Sequence, residues 1–261
     1  MKIEDIKSNN KNLEYSHNVN LIDISKINCS GAFDVEFIQS NSANGFALIL
    51  TDNKEILTDI ELVASDSVLH IRNKNNMTVS INGVQIGNNR KQFNNFCGQK
   101  IFVNGQQIIK SGDGDQYNCF SGTQNIIKSY NSNNIKLMSG ILKIFVVLPK
   151  IDCVKLSGAG SFFCNDISQE SLEISLSGSG DISLSGKVKK IDVKLSGAGS
   201  INLKKLESNT AILKLSGVGK IKANVTESVT AKVSGVGDIK IYGNPVERDV
   251  SKSGMGKIKF K

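Results

Sequence analysis

The chain has 261 residues and a formal charge of +8, with hydrophobic residues at 39%, aromatics at 6%, no Trp and only two prolines. So few rings suit narrow stacked layers better than a thick two-layer sandwich, and a near absence of Pro suits long backbone ladders, because Pro donates no ladder hydrogen bond. The positive balance permits binding to acidic surfaces without bearing on fold. The five cysteines, Cys29, Cys97, Cys119, Cys153 and Cys164, are odd in number and form no CxxC pair, which argues against a disulfide framework or a zinc site and for reduced thiols.

The opening MKIEDIKSNN has no apolar core of a secretory signal. The longest apolar run, Phe46 to Leu50, is far too short to span a membrane. These readings predict a soluble protein that is intracellular or exported by an unrecognised route, with residues 1–15 as an N-terminal tail. Around Cys29, INCSGAFDVEF places Ile27, Cys29, Val35 and Phe37 in alternation about a Ser-Gly corner. LILTDN and IELVASDSVLHIRNK then alternate as strands do. Residues 73–135 form a distinct insertion. Asn82-Gly83 and Asn104-Gly105 sit between alternating residues and predict two hairpins with type I′ turns, or two irregular coils. SGDGDQYN reads as a loop.

From residue 138 onward a repeat dominates. SGxG motifs begin after Leu156, Leu176, Leu195, Leu215, Val233 and Lys252, at spacings of 20, 19, 20, 18 and 19, and Met138-Ser139-Gly140 is a weaker copy. With that first residue as position 0, apolar residues recur at −2, 0, +6 and +8, and another recurs later at Ile167, Val188, Leu206, Val225 and Val246. Period 2 on both sides of the motif means two short strands facing one core, with a third face left open. The glycines supply a corner through backbone angles that other residues resist. One such unit cannot bury its own apolar face, whereas stacked units can. The spacing is too short for a propeller blade and too uneven for a hexapeptide helix, and no helical period intervenes. The predicted fold is an all-β, right-handed parallel β-helix of about 19-residue coils, occupying residues 16–261 as one elongated domain. Lys252 and the closing KIKFK fit a polar terminal coil.

The early CSGAFDVEF strand, the Pro-terminated ILKIFVVLP and the serial SGxG copies resemble the head GIN domain family, whose members carry the description of auto-transporter adhesins. The resemblance covers roughly residues 20–261. It implies a β-helical fold and an adhesin-like role at a surface. No catalytic motif transfers with it, and the absence of an export signal departs from the family pattern.

The serines after position 0 should stack as a hydroxyl ladder, since His17 and His70 both lie outside the repeat and no triad forms. No GK[ST] follows the glycines to make a phosphate loop. Asp181 and Asp238 only faintly echo calcium-binding β-rolls, and Asp113 and Asp115 read as turn residues rather than metal ligands. Cys164 reads as a small core residue. The strongest surface feature is a lysine column at position −1, Lys155, Lys194, Lys214 and Lys232, with Ser175 interrupting it and a second short column at Lys222, Lys240 and Lys259. Residues 151–261 hold 17 basic and 11 acidic side chains, against 15 and 13 in residues 1–150.

The function predicted is a non-enzymatic binding or structural scaffold, with no cofactor, no metal and a surface glycan or protein as partner. The lysine column offers a second reading, electrostatic binding of acidic glycan, anionic lipid or nucleic acid. A carbohydrate-active β-helix enzyme is the third, and the scatter of the repeat's acids disfavours it.

Overall fold

The alternating apolar positions face inward and successive coils stack as a parallel β-solenoid of about five turns. The computed structural model describes residues 2–42, 45–74 and 141–261, together with the backbone of six short strands between 79 and 139. The chain begins with α1 (Ile3–Ser8), β1 (Tyr15–Leu21), β2 (Lys26–Cys29), β3 (Val35–Gln39) and β4 (Gly45–Thr51). It continues through α2 (Lys54–Asp59), β5 (Ile60–Ser65) and β6 (Val68–Asn73).

Two of these elements differ from the alternating pattern read in the sequence. The LILTDN strand stops at Thr51, and Asn53 caps a one-and-a-half-turn helix by accepting a 3.0 Å bond from the Glu55 amide. The following stretch is a tight hairpin rather than one strand. Asp66 and Ser67 both take positive φ, 50° and 61°, which joins β5 to β6 through a turn of type I′ character. The Asp-Ser pair lacks the glycine that usually signals such a turn.

In the insertion, β7 (Val79–Ile81) pairs antiparallel with β8 (Val84–Ile86), and β9 (Ile101–Val103) pairs antiparallel with β10 (Gln106–Ile109). These are the strands that flank the two Asn-Gly pairs. The Asn-Gly residues themselves, Cys97, Cys119, Asp113 and Asp115 lie outside the described residues. β11 (Ile126–Asn131) and β12 (Asn134–Ser139) form a separate antiparallel pair. The Met138-Ser139-Gly140 copy is therefore not the coil beneath Leu156, because Met138 and Ser139 belong to that pair.

The remaining elements are β13 (Leu142–Leu148), β14 (Cys153–Leu156), β15 (Ser161–Leu176), β16 (Asp181–Leu195), β17 (Ala198–Leu215) and β18 (Val218–Val233). β19 (Val236–Tyr242), β20 (Glu247–Lys252) and β21 (Lys257–Phe260) complete the stack. The coil beneath Leu156 comes from far earlier in the chain. β14 pairs with β2 and β15 pairs with β3, while β6 and β13 lie on the opposite sides of β2 and β3. The chain thus lays down β2 and β3, runs outward, returns beside them as β13, and passes over them to start the regular series. Pro149, between β13 and β14, lies in that crossing, and Pro245 also falls between strands.

Positions −2, 0, +6 and +8 are buried from Val154 through Ile241, in one continuous core. Each fully buried Leu or Ile contributes about 1.5–3 kcal/mol. Ile167, Val188, Leu206 and Val225 are buried in a further run, but Val246 is 87% exposed and not part of it. A sixth inward position, −4, is filled by Leu172, Ile191, Ala211 and Val229. At the start of the stack, α1 and the residues after it cover the outer faces of β4 and β13. Ile6 and Leu13 pack there with Phe46, Leu48, Leu50, Phe145 and Val147.

The corner glycines are required mainly by crowding; among those of the described coils Gly237 alone also takes a positive φ, 156°. A Cβ on Gly178 would lie 2.0 Å from the Gly158 oxygen, one on Gly197 1.9 Å from the Gly178 oxygen, and one on Gly217 2.0 Å from the Gly197 oxygen. The second glycine column behaves alike, with Gly199 1.9 Å from the Gly180 oxygen and Gly219 1.9 Å from the Gly199 oxygen. The backbone ladder continues through the corner: the Ser196 and Gly197 amides both donate to the Leu176 carbonyl, at 2.9 and 3.2 Å. Where the earliest motif carries Phe33, its ring folds beneath Gly31 and is fully buried. It occupies the space that another glycine corner fills in the regular coils.

Gly197→Ala should lower the denaturation midpoint by the equivalent of about 1–3 kcal/mol or abolish folding, because its Cβ meets backbone. Ala198→Ser, one residue on and exposed, should stay within about 0.5 kcal/mol. Equal stability of the two variants would contradict the crowding argument. Phe33→Gly perfects the motif yet should cost about 3–5 kcal/mol, since it empties a filled volume. A neutral or stabilising result in the same denaturation assay would refute the capping role of the ring.

Candidate functional site

Strand register decides which outward side chains stand together. Lys155 lies over Asn28 and beneath Ser175, and Lys194, Lys214 and Lys232 follow on the next three rungs. All four lysines are exposed, and among the described residues none of them makes an ion pair. Ser251 ends this file above Lys232, and His70 lies below Asn28. Rungs are about 4.8 Å apart. Ammonium groups at that spacing repel by about 1 kcal/mol even in water, so the side chains splay into solvent. The next outward file holds Glu173, Asp192 and Asp249, which tempers the positive potential along one side. Lys222, Lys240 and Lys259 also fall into register on successive rungs. Among the described residues the surface lysines that do find acids are Lys189, 2.9 Å from Glu170, Lys187, 3.8 Å from Glu207, and Lys150, beside Asp152.

The serine column does not form the hydroxyl ladder that the sequence suggests. Among the described residues only Ser157 of that column donates its hydroxyl, to the Cys29 carbonyl at 3.3 Å. The later serines are exposed, and the corner is held by main-chain amides instead. Asp181 and Asp238 occupy one file but stand three rungs apart, with Ser200 and Lys220 between them. That is about 14 Å, too far to share one cation. Among the described residues no three His, Cys, Asp or Glu side chains gather as metal ligands.

Three cysteines are buried free thiols. Burial pushes Cys29 and Cys164 up to about 12. Cys153 is pushed up to about 11 by burial first and then by the charge and hydrogen bond of Glu173, against the pull of Lys155 and Lys26. Cys164 occupies the inward position expected of a small core residue, and its ionised form is further disfavoured by Asp166 and Glu36. Glu36 is itself raised by burial, opposed by Lys143. These groups are suited to packing and not to nucleophilic chemistry, which needs the thiolate.

A shallow recess of about 310 Å³ lies between the β1–β2 connection and the end of β13, with Asp23, Ser25 and Lys150 among its lining residues. Lys150 is 3.5 Å from Asp152. The sequence offered no signal for it, because its walls meet only through the non-sequential stacking of the first strands.

The decisive comparison is with a family model: the family described as "Putative auto-transporter adhesin, head GIN domain" matches residues 23–245. The chain belongs to this family. The match takes in the coils of the head GIN domain from Lys26–Cys29 up to the loop that contains Pro245. Among solved structures, a "putative adhesin" from Bacteroides fragilis NCTC 9343 is 18% identical and superposes with a TM-score of 0.59, covering 95% of this chain and 98% of that one. A "putative lipid binding protein" from Parabacteroides distasonis ATCC 8503 is 17% identical with a TM-score of 0.46, covering 95% of this chain and 97% of that one. The first shares the fold; the second is too distant to bear on this chain. No curated protein matches in sequence. No helix among the described residues is long and apolar enough to cross a membrane.

The thiol environment yields a direct test. Cys29, Cys153 and Cys164 should resist a thiol reagent at pH 8 in the native protein and react fully in denaturant, as read by peptide-mapped labelling. Each holds its proton more tightly folded than unfolded, so stability should be complete below pH 9 and fall as pH rises from there. Native labelling of Cys29 or Cys164 at pH 8 at the denatured rate would contradict this burial.

Proposed function

We propose that this head GIN domain is a binding scaffold without catalytic activity, an adhesin-like head whose partner is a surface glycan or protein. The observation that carries this reading is the division of labour within each coil. Inward positions are spent on one apolar core, and outward positions stack into straight exposed files. Polar groups therefore stand side by side on flat faces, an arrangement suited to recognising an extended surface. The family description supports the same reading.

A second reading rests on the lysine file. Among the described residues Lys155, Lys194, Lys214 and Lys232 make no ion pair, and they stand in one file with the last three on successive rungs, an array that matches acidic glycan, anionic lipid or nucleic acid.

The test is a panel of glycans, lipid vesicles and nucleic acids at low and moderate salt. It compares the protein with a variant carrying Gln at those four lysines. A salt-tolerant ligand that the variant keeps supports the scaffold reading. Binding that weakens steeply with salt, and whose slope of log affinity on log salt shrinks by about 3 in the variant, supports the cationic reading. Turnover of an acidic polysaccharide that one substitution abolishes would overturn both.

A further inference from the structure

The third residue of each SGxG motif forms its own file at the corner. It runs Ala159, Ser179, Ala198, then Val218, Val236 and Met255. Val218 lies over Ala198 and beneath Val236, and the Met255 amide donates to the Gly235 carbonyl on the rung below. The small early residues thus give way to three consecutive apolar side chains, exposed by 60%, 46% and 82%. Scattered apolar residues on a surface need no explanation, but a stacked, contiguous ridge of them marks an interaction site.

What flanks the ridge identifies the partner. Side chains alternate across each coil, so Lys214, Val218, Lys220 and Lys222 share the outer side of one rung, and Lys232, Val236 and Lys240 share that of the next. On the last rung Lys257 and Lys259 stand on one side of Met255, and Ser251 takes the place of the lysine on the other. Asp238 is the single carboxylate among these outward positions. Among the described residues none of these lysines makes an ion pair. A ridge of Val and Met between two banks of free lysines is complementary to a headgroup layer. The apolar side chains pass below the phosphates, while the lysines extend their stems and keep their charge at the level of anionic headgroups. A glycan or nucleic acid would engage the lysines and leave the ridge in water.

We propose that the corner of the last three coils, Val218, Val236 and Met255 with their flanking lysines, is a docking site for an anionic phospholipid surface. The proposal rests on the cationic reading above and deepens it by naming the partner. The ridge spans two rungs, about 10 Å, so insertion is shallow and association is reversible. Salt removes the lysine part and leaves the apolar part, because screening acts on exposed charge and not on burial.

The experiment is co-sedimentation of the whole chain with vesicles of phosphatidylcholine alone or of equal parts phosphatidylserine and phosphatidylcholine, with heparin binding measured in parallel. Val218→Ser, Val236→Ser and Met255→Ser are combined in one variant; all three sites are exposed, and circular dichroism checks the fold. The expected result is binding to the phosphatidylserine vesicles that falls at least about tenfold in this variant, with heparin binding unchanged. Vesicle and heparin binding both unaffected by the serine changes would overturn the lipid proposal and leave the cationic reading standing. Absence of binding to vesicles and heparin alike would overturn both.

Discussion

Carbonyl oxygens of one glycine corner lie within about 2 Å of where the next corner would place a side chain, and that contact disciplines the whole molecule. It forces glycine at two positions in each regular coil and brings the main chains close enough for the amide ladder to run unbroken through the bend. Coil length can then vary only elsewhere. Corner spacings drift between 18 and 20 residues. The register irregularities that absorb the drift lie on the far side of the coil, between Cys164 and Ile167, Ser183 and Ser185, and Leu203 and Glu207. An insertion at the corner would break a main-chain contact, whereas a bulge opposite only displaces side chains.

The ends of the stack show what happens where the rule lapses. At the start, Phe33 takes the glycine position because no glycine corner lies beneath it, and its ring fills the vacant volume. The antiparallel strands β4 and β1 extend the sheet beyond β13, and the side chains of α1 cover the outer faces of β4 and β13. At the other end, Val250 is 48% exposed and Phe260 is only partly buried. The Arg248 guanidinium lies 4.2 Å over the Phe260 ring, held by the Pro245 carbonyl and Asn244. A cation with a planar, weakly hydrated face suits that half-wet position better than an ammonium does.

Because the inward side chains and the glycine corners specify the fold, the outward positions are free to carry function. The same coils display two chemistries: a lysine file on one flat face and an apolar ridge at the corner, both in register by virtue of the ladder that holds the core. Neither needs a pocket. The ladder that holds the core in register also sets the spacing of both files at the surface.

The repeat, its corner, its inward positions and the lysine file were legible in the sequence, because each depends on a local period that the chain repeats. The −4 position escaped notice because Ala211 dilutes its apolar pattern, and Val246 was misplaced because its coil breaks at Gly243 and Pro245. The capped helix after Thr51 and the Asp66-Ser67 turn were obscured by short lengths and by a turn pair without glycine. The role of glycine was visible, but its main cause was not, since of the corner glycines in the described coils only Gly237 takes a positive φ. Backbone angle is a property of one residue, whereas the contact that excludes a side chain comes from a residue about 19 positions away. The same reasoning separates what the sequence by itself determined from what only the tertiary structure decided. Periodicity alone determined that coils stack and that the side chains at −2, 0, +6 and +8 enter the core. Which strand lies beneath Leu156, and that Lys26–Cys29 rather than the nearby Met138 segment fills that place, was decided by long-range backbone pairing, and such pairing leaves no mark on local periodicity.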